Sequence, residues 1–312
     1  MFFPKRADWR SPTRADHPFK GIALILLSTI FLGTSEVTAK YLSATLPSIE
    51  ITWMRFVVFA LMMLPAMLPG TPLFALKTER LTMQLLRGSA LLSSALLFIS
   101  GLGYLPVAVA SAASFVSPLL VTALSIIFLS EAVGVSRWLA TAFGLVGVLI
   151  ILRPGTSAFG AAALFPIGSA LCLAFTLITT RLMSGREHLL TTMAYSSLAG
   201  VSITTALVPI VWVTPSCSDI LLGVLAGVTW TAGQCILVLA CLYAEASVLA
   251  QFSYTQLAWV SFLGFLVFGE VPDIWTITGA ACIVGSGLYT ARRERVRRSQ
   301  VLATAAQPPS NV

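Results

Sequence analysis

Residues 104–131 read Tyr104-LPVAVASAASFVSPLLVTALSIIFLS-Glu131, and residues 243–270 read Tyr243-AEASVLAQFSYTQLAWVSFLGFLVFG-Glu270. The two stretches have equal length and align without a gap. Both open on Tyr and close on Glu, and Val109/Val248, Ser114/Ser253, Val121/Val260 and Leu124/Leu263 also match. A weaker match sets Ser28 to Lys40 against Ser169 to Arg181, with Thr38 opposite Thr179. Both pairings describe one duplicated unit, about 20–153 and 154–292, with polar tails at 1–19 and 293–312. Each stretch is also too apolar for a solvated helix and long enough to cross a ~30 Å hydrocarbon core, which takes ~20 residues.

The rest of the chain agrees with a membrane. It is 57% hydrophobic and only 10% charged over 312 residues, against roughly 25% charged in a soluble domain. That excludes a soluble enzyme, a disordered chain and a nucleic-acid-binding domain. Dividing at charges, prolines and turn glycines predicts ten spans: 21–40, 50–69, 85–104, 107–130, 136–152, 160–182, 191–213, 219–241, 246–269 and 274–291. The net charge of +7 is explained by orientation. With the N-terminus in the cytoplasm and alternating spans, 16 of the 19 Lys and Arg residues fall on the cytoplasmic side, as the positive-inside rule requires. These are Lys5, Arg6, Arg10, Arg14, Lys20, Lys77, Arg80, Arg87, Arg137, Arg181, Arg186 and the C-terminal Arg292, Arg293, Arg295, Arg297 and Arg298. Basic residues at both ends require an even number of crossings. Five spans per unit is odd, so the second copy enters the membrane inverted. The expected fold is an all-α integral membrane protein of ten transmembrane helices in two inverted five-helix repeats, both termini cytoplasmic. Such repeats commonly hold a substrate site near the midplane and alternate its access by rocking.

Several stretches resemble a known family. Pro118-LLVTALSIIFLS-Glu131, Gly144-LVGVLIILRPG, Tyr254-TQLAWVSFLGFLVFGEVPD and Gly279-AACIVGSGLY are similar to the drug/metabolite transporter superfamily with two EamA-type domains. Glu36-VTA-Lys40-Tyr41-Leu42 and Glu50-ITWM-Arg55 resemble the subgroup that holds riboflavin and S-adenosylmethionine carriers. There the first position is more often Asp, so Glu36 is a conservative departure. The resemblance implies a secondary transporter of the inner membrane. It implies riboflavin uptake first, S-adenosylmethionine uptake next, then export of an amino-acid-like metabolite or a metallophore.

The residues supply candidates for a site. Glu36 stands alone inside the first span, where an acid costs ~2.5–3.5 kcal/mol on insertion scales and therefore faces a cavity or a partner. It reads either as a coupling or cation-binding carboxylate or as the i+4 partner of Lys40. Arg55 suits a substrate carboxylate or phosphate through its bidentate fork, or pairs with Glu50 or Glu36. Glu131 and Glu270 fill equivalent positions at helix ends, as gating charges or as caps for helix N-termini or a basic partner such as Arg137. In span four Ser111, Ser114, Pro118, Thr122 and Ser125 share one face, as a pathway lining or as small-residue packing. Gln251, Tyr254, Gln256 and Trp259 in span nine, with Trp230 and Gln234 in span eight, place amides and mid-span indoles where a polar heterocycle would satisfy and stack on them. The glycines of spans five and ten allow close approach, within the bundle or in a homodimer.

Other classes are disfavoured. No GxxxxGK[ST] phosphate loop occurs, and no cofactor or metal is expected. Two His, one in the tail and one in a loop, do not furnish an intramembrane enzyme. The five cysteines form no CxxC or Cys/His pattern. The expected partners are a small-molecule metabolite and the lipid bilayer.

Overall fold

The computed structural model describes residues 18–69, 76–129, 135–152, 161–183, 187, 189–243, 252, 255–286 and 289. All regular structure among them is helical. The helices are α1 Pro18–Leu42, α2 Ser48–Met67, α3 Leu81–Leu102, α4 Val107–Ser114, α5 Ser117–Leu129, α6 Val135–Leu152, α7 Leu164–Met183 after a 3₁₀ turn at Ala161–Ala163, α8 Leu189–Val211, α9 Cys217–Tyr243, α10 Thr255–Phe268 and α11 Ile274–Ser286. Six are long and apolar enough to cross a membrane: Phe19–Leu42, Ser48–Met67, Leu81–Leu102, Ala161–Thr180, Leu190–Val211 and Cys217–Leu237. Ala142–Ile151, Thr255–Phe268 and Ile274–Ser286 are shorter apolar helices. Glu131, Gln251, Tyr254, residues 1–17 and residues 293–312 lie outside the described residues, as do the side chains of Pro118, Thr122 and Ser125.

Two boundaries differ from expectation. Span four is two helices, broken at Phe115 and Val116. Pro118 falls in the first turn of α5, where its missing N–H would be unpaired anyway, so it starts a helix instead of kinking one. Span three begins four residues earlier than expected, at Leu81. That draws Gln84 into the helix and sets Arg87 six residues inside it, although its charge had counted with the cytoplasmic flank.

The bundle is apolar outside and mixed within. Leu61, Leu86, Ile127, Ile210, Leu221 and Ile274 are exposed, while Ser28, Ser35, Glu50, Thr52, Arg55 and Gln84 are buried. Hydroxyls satisfy themselves on their own helices, as Thr38 does by donating to Thr34 O (2.8 Å) and Thr204 to Gly200 O (2.7 Å). This is how Ser and Thr are accommodated where water is absent.

The helix pairings come in twos. α1 packs along α9, and α7 packs along α3. α2 lies on α9 as α8 lies on α3, and α1 on α10 as α7 on α5. The match extends to single atoms. Ser28 Oγ donates to Gly233 O at 2.8 Å, and Ser169 Oγ donates to Ser94 O at 2.8 Å. A methyl on Gly88 would meet the Ala199 side chain at 2.8 Å, and one on Gly227 would meet Val58 at 2.6 Å. Gly147 of α6 and Gly279 of α11 approach so closely that a Cβ on either would strike the other's carbonyl oxygen (2.7 and 2.5 Å). These two glycines therefore serve contact within the chain.

Candidate substrate site

At one end of the bundle, the end carrying Lys40, three helices meet on one carboxylate. Glu270, just beyond α10, pairs with the Lys40 ammonium of α1. Its other oxygen accepts from Val107 N at 3.0 Å, the first residue of α4. Lys40 also donates to Leu105 O at 2.7 Å. Glu270 thus accepts from a helix N-terminal amide and binds a cation. Lys40 is engaged here and not with Glu36, because the cross-helix carboxylate lies nearer than the one on its own helix.

Glu36 sits six residues inside the end of α1, about 9 Å at 1.5 Å per residue. Both its oxygens are held from the side. Ser111 Oγ of α4 donates to Oε2 at 2.6 Å, and Gln256 Nε2 of α10 donates to Oε1 at 2.7 Å. The structure therefore brings together Glu36, Gln256 and Ser111, which lie far apart in the chain. Trp259, one turn along α10 from Gln256, covers Gly33 and donates to Thr34 Oγ1 at 3.2 Å. It flanks the carboxylate as part of the α1–α10 contact.

Arg55 of α2 is buried, 4% exposed. Its guanidinium lies 5.1 Å from the ring centroid of Trp230 on α9. Trp230 is held in turn by Phe56 and Phe59, at 5.8 and 5.2 Å between centroids. A cation over an indole face is favourable, by about 2 kcal/mol when desolvated, yet it leaves the N–H donors in the ring plane unused. Among the described residues Arg55 makes no hydrogen bond and no ion pair. It and Glu36 act on each other electrostatically, but no nitrogen of one comes within 4.0 Å of an oxygen of the other. Glu50, its other expected partner, accepts instead from Val213 N at 3.2 Å.

Two further candidates are placed differently. Gln234 lies one turn along α9 from Trp230, half-buried, with no hydrogen bond among the described residues. Ser114 donates back to Ala110 O at 3.0 Å on its own helix and engages none of the charges. A crevice of about 310 Å³ on the surface of α1, α9 and α10, lined by Val37, Thr38, Tyr41, Leu222 and Val267, also contains none of them.

At the opposite end sequence reasoning missed a polar cluster. Arg87 Nε donates to Thr180 Oγ1 of α7 at 2.7 Å, and Nη1 donates to Ser196 Oγ of α8. Glu187 accepts from Thr78 Oγ1 at 2.9 Å, Glu79 N at 3.0 Å and Gln84 Nε2 at 3.4 Å. The available signal was the spacing of Gln84 and Arg87, one turn apart at the start of an apolar run.

Comparison with known proteins agrees with this architecture. Residues 19–153 match the model of the EamA-like transporter family. The chain is 31% identical over 201 residues to the riboflavin transporter of Rhizobium johnstonii, covering 64% of this chain and 67% of that protein. The chain belongs to the EamA-like transporter family. An EamA-like chain with six membrane-length apolar helices is a multi-pass membrane protein, and the family places it among transporters rather than enzymes. This EamA-like protein is also 28% identical over 275 residues to the S-adenosylmethionine uptake transporter of Rickettsia prowazekii, covering 88% of this chain and 93% of that one. Its fold is shared with a protein of known crystal structure, at TM-score 0.62 and 18% identity, over 89% of this chain and 98% of the other.

Proposed function

We propose that this EamA-like protein is a secondary carrier of the inner membrane. It has ten crossings in two inverted five-helix repeats, 20–153 and 154–292, with both termini cytoplasmic. The paired contacts support the repeat, above all the matched serine bonds of Ser28 and Ser169. Lys40 and Glu270 then lie at the outer face, and Glu36 and Arg55 in the outer third of the bundle. The cargo moves by rocking of the two repeats about a site reached by Arg55, Trp230, Gln234 and the Glu36–Gln256 pair.

The observation that carries the cargo reading is the buried guanidinium of Arg55, unpaired and within electrostatic reach of a carboxylate it does not bond. A buried cation is tolerated when something neutralises it. Here a cargo carboxylate fits Arg55, a cargo ammonium fits Glu36, and a planar ring fits beside Trp230. S-adenosylmethionine has all three groups. Riboflavin, the first expectation, has the ring and no charge at neutral pH. It stands as the second reading because a relative of 31% identity carries that name. Both are tested by uptake of the labelled compounds into proteoliposomes. Saturable entry of S-adenosylmethionine that Arg55→Gln lowers at least tenfold supports the first. Entry of riboflavin alone, indifferent to Arg55→Gln, supports the second.

A further inference from the structure

Arg87 of α3 is half-buried, and among the described residues its surroundings resemble those of Arg55 in one respect. Every bond it makes among the described residues goes to a neutral group: Thr180 Oγ1 at 2.7 Å, Ser196 Oγ, and Thr192 O at 3.5 Å. Among the described residues no carboxylate lies within 4.0 Å of it. Its Nη2 donates to none of them, although Nε and Nη1 are fixed. Beside it Gln84 is fully buried and its Oε1 has no partner. A guanidinium anchored through Nε and Nη1, with Nη2 left over and no carboxylate beside it among the described residues, keeps two N–H donors on one nitrogen for an incoming carboxylate oxygen.

Its place in the fold gives this meaning. Leu81 opens α3 and Ser48 opens α2, so Arg87 lies about 9 Å and Arg55 about 10 Å inside their helices, from opposite ends of the bundle. The two sites also correspond through the repeat. Val58 meets Gly227 as Ala199 meets Gly88. Arg55 precedes Val58 by the same three residues by which Ser196 precedes Ala199. Ser196, to which Arg87 donates, is therefore the α8 counterpart of Arg55. At the outer end the cation grows from that position; at the inner end it reaches that position from α3. The sequence differs at both places, yet one guanidinium lies near each end: Arg55 over Trp230 of α9, and Arg87 against Thr180 of α7 and Ser196 of α8.

We infer that Arg87 forms a cytoplasmic-side station for the same cargo carboxylate that Arg55 receives on the outer side. The carrier then presents a cation to the carboxylate in each of its two facing states, and the cargo passes from one to the other as the repeats rock. This rests on the carboxylate-bearing cargo of the preceding reading.

The test is initial-rate uptake of S-adenosylmethionine and of its decarboxylated analogue into empty right-side-out and inside-out membrane vesicles, which reads the KM at each face separately. Arg87→Gln is expected to raise the KM for S-adenosylmethionine about tenfold at the cytoplasmic face, the loss of one charged hydrogen-bonding partner. Its outer-face KM, and both KM values for the decarboxylated analogue, stay within about twofold of wild type. Should Arg87→Gln fail to insert, Arg87→Lys, which keeps the charge without the anchored Nη2 donors, is expected to show a smaller rise confined to the same face and cargo. Equal changes for both cargos, or an unchanged cytoplasmic-face KM, overturn the station and leave Arg87 a helix fastener. Wild-type vesicles that take up no S-adenosylmethionine overturn the cargo reading, and the station with it. That failure is told apart by appearing before any substitution is made.

Discussion

Glu36 makes its bonds sideways, to α4 and α10, and not along its own helix. A carboxylate held by two donors at 2.6 and 2.7 Å is stabilised by about 1.5–3 kcal/mol per charged hydrogen bond. Glu36→Gln keeps the shape and removes the charge. It is expected to reduce uptake at least tenfold while the protein inserts normally, as uptake measured against membrane abundance will show. Gln256→Ala frees one oxygen and should give a milder loss. Arg55→Lys should restore little of the Arg55→Gln defect, because an ammonium neither stacks on Trp230 nor offers a planar pair of donors. A KM for S-adenosylmethionine equal to wild type in Arg55→Lys would contradict that role. At this scale the sequence was informative about identity and silent about pairing. Glu36, Ser111, Gln256 and Trp230 each stand out as polar or aromatic residues in apolar runs. Which of them touch depends on helix neighbours, and no local rule supplies those. The i+4 rule pointed Glu36 to Lys40, and the bundle offered Lys40 the nearer Glu270. Arg87 was hidden because a charge at the edge of a hydrophobic run reads as a flank.

Elements are joined by two devices. One is the charged knot of Glu270, which ties α1 and the start of α4 to the end of α10. Glu270→Gln should lower stability by about 1.5–3 kcal/mol, read as a fall in Tm in detergent. The exchange of charges in Lys40→Glu with Glu270→Lys should recover part of the ion pair but not the bond from Val107 N. If rocking opens this end, loosening the knot should shift the carrier toward outward-facing forms, seen as faster modification of a cysteine placed beside Arg55. The other device is close contact at small residues. Gly88→Leu and Gly227→Leu each force a side chain against the opposing helix, and about 1–3 kcal/mol is the usual penalty. Equivalent positions should give similar falls in Tm. A large effect at one and none at the other would argue against the repeat register. The likeness of Tyr104–Glu131 to Tyr243–Glu270 was readable because the two stretches have equal length and the same residues at both ends. The break at Phe115 was not readable, since Pro118 marks both a kink and a helix start, and only the backbone distinguishes them.

The whole molecule is an inside-out solution to the burial problem. Among the described residues, apolar side chains cover the exterior, and the charges lie at the ends or six to seven residues inside a helix, at Glu36 and Arg55 and at Arg87. Reporter fusions to both termini should place them in the cytoplasm, as the basic residues of the tails require; opposite locations would mean an odd number of crossings. The central claim is that the unpaired Arg55 beside Trp230 receives the carboxylate of a zwitterionic cargo. The most direct measurement is competition for S-adenosylmethionine uptake in proteoliposomes by S-adenosylmethionine, its decarboxylated analogue and riboflavin, with wild type and Arg55→Gln. Wild type is expected to prefer the carboxylate-bearing compound by at least tenfold over its decarboxylated analogue, and Arg55→Gln to abolish the preference. Equal competition by the two compounds in wild type, or an undiminished preference in Arg55→Gln, would contradict it.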